Sequence, residues 1–232
     1  VTLWPPVLGR KGTRLHKTCG KVFWGALLAT GVIAVGISAC SLIAPLETHP
    51  FSHDAAFVRG MFGWMMLYLA VMTVNLAWYG RLVVQNRRNH EANRTPAVFL
   101  LQAATFVTAL NCAWQGFLIG QPLMVGMSVV GLAASVLNTQ FVLRRDPPWN
   151  EWLIQHSRGL VGAGISVYTA FLAFGLVNSM PSLALNPALW AVPCTLGVAY
   201  LLWHQARIVR QRRRLAERPA PMPAPGGTAS AG

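Results

Sequence analysis

Charged residues are scarce in this chain. Asp, Glu, Lys and Arg make up 11% of its 232 residues, whereas hydrophobic residues make up 54%. A soluble domain carries roughly 25% charged residues. With so few charges the chain cannot cover a water-exposed surface of its own size. The composition therefore argues against an ordinary soluble enzyme or binding domain.

Acidic residues are the scarcest of the charges, and their positions limit the chemistry. The chain has 6 Asp and Glu against 19 Lys and Arg. Proton-coupled transporters and pumps commonly use ionisable groups inside the membrane, but here every acid falls outside the long apolar runs. This argues against ion-coupled transport and against intramembrane aspartyl proteolysis. The acids are Glu47, Asp54, Glu91, Asp146, Glu151 and Glu217.

Motifs of common catalytic and metal sites are missing as well. The chain has no GxSxG, HExxH or phosphate-loop pattern. Its cysteines are far apart, and three of them lie in apolar runs, where a thiol behaves as a small hydrophobe. We therefore expect neither a disulfide nor a zinc site. The cysteines are Cys19, Cys40, Cys112 and Cys194.

The excess of positive charge does not indicate a nucleic-acid partner. The net charge is +13, and such basicity often marks a nucleic-acid-binding domain. Here the cations lie in short clusters between apolar runs instead of along one polar face. We expect the lipid bilayer, and no nucleic acid, to be the partner of this chain.

Long apolar runs are the main feature that the sequence does have. A membrane-spanning helix needs about 20 apolar residues, because the hydrocarbon core is about 30 Å thick and each residue rises about 1.5 Å. Lipid offers the backbone no hydrogen-bond partner, which favours helices. The sequence therefore predicts an all-α, polytopic transmembrane helix bundle. The six predicted spans are Val22–Ile43, Gly60–Val83, Ala97–Ile119, Leu123–Leu143, Leu153–Val177 and Leu189–Ile208.

The segments that connect these runs alternate between basic and non-basic. Arg59 is the only cation in a non-basic segment, and all other Lys and Arg fall on the opposite side. Because positively charged loops stay in the cytoplasm, both ends of the chain are predicted to be cytoplasmic. The basic segments are 10–21, 80–94, 144–158 and 204–218.

The ends of the chain complete the predicted domain organisation. We expect a basic cytoplasmic segment over residues 1–21, the helical bundle over 22–208, and a disordered tail over 209–232 that is rich in Pro, Ala and Gly. The apolar stretch VTLWPPVL at the start could be the end of a preceding helix, which would make seven spans in the full-length gene.

Polar and small residues recur at helical spacing within three runs. The amides among them, Asn111, Gln115 and Asn138, could line a polar cavity. The alternative is helix packing, because small residues allow close approach and amides hydrogen-bond between helices. The three stripes are Ala104, Thr108, Asn111 and Gln115; Ser128, Gly131, Ser135 and Asn138; and Gly159, Ala163, Ser166 and Ala170.

Three histidines are the candidate cofactor ligands. His16, His156 and His204 are predicted to lie near the cytoplasmic surface on three separate segments. His156 with either of the others could hold a b-type haem, or could bind a quinone. The alternative is that His156 hydrogen-bonds a backbone carbonyl or Asn138 and closes that end of the bundle.

A second pair of histidines lies in the predicted external loop. His49 and His53 have Glu47 and Asp54 nearby, and imidazole with carboxylate is a ligand set that suits zinc or copper. A pair at this spacing in a short loop is weak evidence. We expect a solvated loop and no metal site.

Two stretches of the chain resemble a known family. The first is RKGTRLHKTCGKVFW, in which Arg-Leu-His-Lys is followed by Gly20, Lys21 and Val-Phe at a helix start. The second is EWLIQHSRGLVGAGISVYTAFLAFG, in which His156 precedes small residues and Thr-Ala-Phe. Both resemble boxes of a bacterial family of polytopic membrane proteins of unknown function, although Lys17 and Lys21 replace arginines and Cys19 replaces a small residue. The resemblance implies a bacterial inner membrane and no established activity.

The function expected from the sequence is that of a non-catalytic multi-pass membrane protein, such as a membrane subunit or a small-molecule sensor. One alternative is a redox protein that binds haem or quinone near the cytoplasmic side. A second is a carrier for a small solute, which has little support because Pro193 is the only proline deep in a predicted span.

Overall fold

A computed structural model of the chain describes residues 12–50, 52–172 and 187–216. These ranges are helical and contain no strand, which confirms the predicted all-α class. A 3-10 turn, His90–Asn93, precedes the fourth helix, and a π-helical stretch, Arg59–Met65, lies within the third. The helices are α1 (Arg14–Ile43), α2 (Pro45–Thr48), α3 (Ala55–Gln85), α4 (Pro96–Leu118), α5 (Pro122–Leu143), α6 (Glu151–Ala170) and α7 (Pro187–Ala216).

Four of the described helices are long and apolar enough to cross a membrane: α1, α3, α4 and α5. They also leave large apolar side chains uncovered. Ile33 on α1, Val107 and Phe117 on α4 are exposed at 62%, 62% and 74%. Apolar surface on this scale is unusual in a water-soluble monomer and is compatible with lipid.

The other two predicted spans differ from this group. Helices α6 and α7 have 20 and 30 residues and are long enough, but neither is a candidate span by hydropathy and charge within the described residues. Helix α6 carries Gln155, His156 and Arg158, and the second half of α7 is rich in arginine. The end of the fifth predicted span, residues 173–177, lies outside the described residues. The structure therefore shows four candidate spans where the sequence predicts six.

Two predicted boundaries also move. Helix α1 begins at Arg14, before the predicted start at Val22, because the Thr13 hydroxyl accepts a hydrogen bond from the His16 amide at 3.2 Å and caps the helix. Helix α7 continues to Ala216, so residues 209–216 of the predicted tail are helical. That stretch consists mostly of arginine, glutamine, leucine and alanine, which are good helix formers. Residues 1–11 and 217–232 lie outside the described residues.

A tight turn joins α4 to α5 and sets these helices side by side. Gly120 adopts φ +66, a left-handed conformation that glycine accepts at little cost. The amide of Gln121 donates to the carbonyl oxygen of Gly116 at 2.7 Å and so closes the end of α4. Pro122 at the first turn of α5 needs no amide hydrogen there.

Helix α3 is the centre of the bundle and packs against α1, α4 and α6. Its hydrogen bonds reach three helices. Asn75 Nδ2 donates to Gln102 Oε1 on α4 at 3.0 Å, and the Tyr68 hydroxyl donates to the Met127 carbonyl on α5 at 2.8 Å. The Thr73 hydroxyl reaches Ser166 on α6 at 2.9 Å. Each of these polar groups is thereby satisfied away from water.

The closest approach of two helices is between α3 and α6. A Cβ atom added at Gly159 would lie 2.6 Å from the Cα of Gly80 and 2.8 Å from the carbonyl oxygen of Leu76. Only a glycine fits there. The small-residue stripe of α6 continues from this point, with Ala163 fully buried and Ser166 bonded to α3, so the packing interpretation of that stripe is confirmed.

The basic segments lie together at one end of the bundle. The Arg94 guanidinium donates to the carbonyls of Val142 and Arg144 at the end of α5. Arg144 in turn pairs with Glu151 at 3.4 Å at the start of α6. We call this the basic end. Arg59, at the opposite end, donates to the Leu42 carbonyl at 3.3 Å.

The α3–α6 contact generates a stability prediction. Gly159→Ala forces the two backbones apart, and overpacking of this kind costs about 1–3 kcal/mol. We expect a lower midpoint of thermal unfolding in detergent. Gly126→Ala on α5, where an added Cβ meets nothing within 4 Å, is the control and should be neutral or stabilising. Equal midpoints for the two variants would contradict the close approach.

Candidate functional site

A cavity of about 600 Å³ lies at the basic end between α1, α3, α6 and α7. Its wall contains all three histidines that the sequence indicates as candidate ligands: His16 on α1, His156 on α6 and His204 on α7. We call it the histidine cavity. The tertiary structure brings these three imidazoles to one site, and cofactor binding by them stays a prediction.

The rest of the wall combines cations and aromatic rings with apolar side chains, and none of its described residues is a carboxylate. The sequence placed Lys17 and Lys21 in a basic segment but did not indicate a binding wall of cations and aromatic rings, although Lys17, Lys21 and Trp24 follow the i, i+4, i+7 spacing of one helix face. Such a wall attracts an anion that has an apolar or aromatic part. The lining cations are Lys17, Lys21, Arg81 and Arg87, and the lining aromatic residues are Phe23, Trp24, Trp152 and Tyr200.

His156 is held in place by the neighbouring helix. Its Nδ1 lies 2.8 Å from the carbonyl oxygen of Gly80. Because a carbonyl oxygen only accepts, Nδ1 carries a proton, and in the neutral ring Nε2 is then the basic nitrogen. The alternative of a backbone carbonyl partner is thus confirmed, with Gly80 and not Asn138 as the acceptor. The same side chain also lines the cavity.

The other two histidines of the cavity lie on the first and the last described helices, α1 and α7. His16 lies in the first turn of α1, after the Thr13 cap. His204 stacks on Tyr200, one turn earlier on α7, with ring centroids 5.8 Å apart and planes at 20°. Because α1 begins at Arg14, His16 is part of the helix. The predicted start of the span at Val22 placed His16 before it.

Two arginines of α3 and the loop after it lie over tryptophan rings in the wall. The guanidinium carbon of Arg81 is 3.9 Å from the ring centroid of Trp24, and that of Arg87 is 5.8 Å from the ring of Trp152. Contacts of this kind contribute about 0.5–2 kcal/mol, the most where the cation is desolvated. They fix the positive charges against flat apolar surfaces.

Asn111, Gln115 and Asn138, which the sequence predicts to line a polar cavity, line neither the histidine cavity nor the groove between α4 and α5. Asn138 is 3% exposed, and its Nδ2 has no partner among the described residues. Asn138 lies many more residues from the Gly120 turn along α5 than Asn111 does along α4. At a rise of about 1.5 Å per residue, the two amides are therefore about 13 Å apart along the direction of the helix axes. The three amides therefore do not share one level of the bundle.

A different polar cluster occupies the α3–α4 interface. Asn75 Nδ2 donates to the Thr105 hydroxyl at 2.8 Å, and Gln102 Nε2 donates back to Asn75 Oδ1 at 2.9 Å. These groups bond to one another, so the cluster joins the helices. Beside it, α4 and α5 form a groove of about 400 Å³ whose wall includes Phe106 and Val136.

The loop histidines remain apart from any ligand set. His49 packs on Phe62 with ring centroids 4.3 Å apart, and partial burial lowers the pKa of His49 below its usual value. His53 is exposed. In the described ranges no three His, Cys, Asp or Glu side chains come together as metal ligands would.

The contact of His156 with Gly80 can be tested by two substitutions. An asparagine amide can replace Nδ1 as donor, so His156→Asn should keep the hydrogen bond, whereas His156→Ala loses it. A bond between membrane helices contributes about 0.6–2 kcal/mol. We expect a lower midpoint of thermal unfolding for His156→Ala than for His156→Asn. The same midpoint for both would mean that the bond does not support the fold.

No family model, no curated protein and no solved structure matches the chain. The resemblance to a bacterial membrane family, which two boxes carry, therefore stays an expectation.

Proposed function

We propose that this protein is a multi-pass membrane protein that binds a small molecule in the histidine cavity, as a sensor or as the ligand-binding subunit of a membrane complex. It spans the membrane six times, with α6 and α7 completing the bundle, and its basic end faces the cytoplasm. The alternation of charge along the sequence supports this orientation. The resemblance of the two boxes supports the bacterial inner membrane as its location.

One observation carries the proposal: three imidazoles from three helices, with four cations and four aromatic rings, surround one cavity of about 600 Å³. Ligand-binding cavities usually measure about 300–1,000 Å³. Ionisable residues on the wall of a cavity inside a membrane protein often mark a functional site.

The chemistry of the wall favours binding over covalent catalysis. Among the described residues of the wall there is no carboxylate and no cysteine, so neither of these two kinds of covalent nucleophile is present. The lining hydroxyl of Ser157 donates to the Ile154 carbonyl of its own helix at 2.9 Å. The imidazoles and cations are groups that hold a ligand.

A pair of glycine substitutions tests whether the cavity holds a ligand. Gly20 lines the cavity, and a Cβ added there meets nothing within 4 Å, as at Gly25 on the same helix. Gly20→Leu should therefore fill the cavity without disturbing α1, whereas Gly25→Leu leaves the cavity unchanged. We expect native mass spectrometry to detect a non-covalent small-molecule adduct on the wild type and on Gly25→Leu.

The adduct should be lost from Gly20→Leu. An adduct that Gly20→Leu retains, or a wild type without any adduct after extraction in a mild detergent, would contradict the proposed function. Thermal unfolding of both variants serves as the check that the fold is intact.

A redox role with a b-type haem is the second candidate, and the orientation of His156 favours it. In axial histidines, the ring nitrogen that does not bind the metal commonly donates its N–H to a carbonyl oxygen, which fixes the orientation of the ring. His156 Nδ1 makes such a bond to the Gly80 carbonyl, which leaves Nε2 available for a metal. His16 or His204 would supply the second imidazole, and Lys17 and Arg81 would neutralise the propionates. The haem, when bound, supplies one-electron transfer.

Absorbance spectroscopy decides the haem candidate. Protein purified from haem-replete cells should show a Soret band that shifts on addition of dithionite. His156→Asn keeps the donor to Gly80 but has no Nε2, so the band should be lost or strongly altered while the midpoint of unfolding stays near that of the wild type. A colourless wild-type preparation excludes haem and leaves a different small molecule as the ligand.

A further inference from the structure

Within the histidine cavity, one pair of side chains has polar hydrogens without acceptors. Trp24 Nε1 is buried and has no hydrogen-bond partner among the described residues. Above its ring lies the Arg81 guanidinium, which makes neither a hydrogen bond nor an ion pair with any described residue. Buried donors are nearly always satisfied, so Trp24 Nε1, beside the half-buried Arg81 guanidinium, indicates an acceptor that the described residues do not supply.

We propose that Arg81 and Trp24 form the head-group subsite of an anionic amphiphile, whose phosphate or carboxylate oxygens accept hydrogen bonds from the guanidinium and from Nε1. This inference depends on the proposed function, because it assigns the chemical class of the ligand in the same cavity. The apolar tail of the amphiphile lies against apolar residues of the wall, among them Phe23, Leu160 and Val161.

The charges around the pair support an anion and no other class of ligand. Lys17 and Lys21 line the same face of α1, two turns and one turn before Trp24. At the basic end Glu91 lies 3.7 Å from Arg94 and Glu151 lies 3.4 Å from Arg144. Asp146 is exposed, and none of these carboxylates lines the cavity. The positive charge of the cavity is therefore uncompensated by the described residues.

The geometry of the pair distinguishes it from a cation that merely reaches the lipid surface. A snorkelling arginine extends its head into water or head groups, but Arg81 is half-buried and its guanidinium is stacked on an indole. Stacking holds the planar donor fork in one orientation, which is the arrangement that recognises phosphate or carboxylate by two parallel hydrogen bonds. Arg88 is an exposed cation in the turn that follows the end of α3, and it does not line the cavity.

Binding measurements on detergent-purified full-length protein test the subsite. The probes are dioctanoyl phosphatidylglycerol, dioctanoyl phosphatidylcholine and inorganic phosphate, each titrated by isothermal calorimetry at concentrations corrected for partition into the micelle. The variants are Arg81→Gln, Arg81→Lys and Trp24→Phe, with Arg88→Gln as the matched control. Phosphatidylglycerol should bind the wild type at least about tenfold more tightly than phosphatidylcholine does.

Arg81→Gln should weaken phosphatidylglycerol binding about tenfold or more, because a hydrogen bond to a charged group contributes about 1.5–3 kcal/mol. Arg81→Lys should retain part of the binding that Arg81→Gln loses. Trp24→Phe should weaken phosphatidylglycerol binding, because phenylalanine keeps an aromatic ring but has no Nε1 donor. Arg88→Gln should bind as the wild type does. If inorganic phosphate bound as tightly as the lipid and with the same dependence on Arg81, the natural ligand would be a soluble phosphate and not a lipid.

Equal binding of the two lipids, or equal losses for Arg81→Gln and Arg88→Gln, would overturn the subsite. The proposed function would survive that result if the adduct of the wild type were still lost from Gly20→Leu. If that adduct is absent or unaffected by Gly20→Leu, the cavity holds no ligand and both proposals fail together.

Discussion

The contact of α3 with α6 at Gly80 and Gly159 is the constraint on which the rest of the structure depends. Because neither residue has a side chain, the two backbones touch, and polar groups on both sides of the crossing reach one another. The Tyr79 hydroxyl donates to Gln155 at 2.9 Å, and His156 donates to the Gly80 carbonyl. The crossing therefore fixes the wall of the histidine cavity as well as the centre of the bundle.

Polar side chains in this protein fall into two groups that the structure treats differently. Many of those inside the bundle are paired across helix interfaces, as Asn75 is with Gln102 and Thr105, whereas Asn138 Nδ2 has no partner among the described residues. Since lipid and apolar side chains cannot compensate a lost hydrogen bond, the pairs hold the helices in register. At the basic end, Arg81 and Trp24 Nε1 are also without acceptors among the described residues, and in the proposed function a ligand supplies the acceptor there.

The distribution of charge connects the architecture to the proposed chemistry. Some of the cations on which the proposed membrane orientation depends also surround the cavity, because the ends of α1, α3, α6 and α7 that carry them meet there. Such a field raises the local concentration of anions near the opening. In the proposed function, one set of residues thus serves both membrane orientation and ligand selection.

The sequence by itself determined the helical class and four of its six predicted spans, because apolar length is a property of local stretches. The alternation of charge along the chain predicts on which side of the membrane the cations lie. The sequence also indicated His16, His156 and His204 as candidates, through their positions at the same ends of separate runs. Only the tertiary structure decided that these three share one wall, that Gly80 accepts from His156, and that Arg81 lies on Trp24. It also separated Asn138 from Asn111 in depth. Such contacts depend on how helices rotate and cross, which small residues such as Gly159 set through packing across the interface and not through any pattern along the chain.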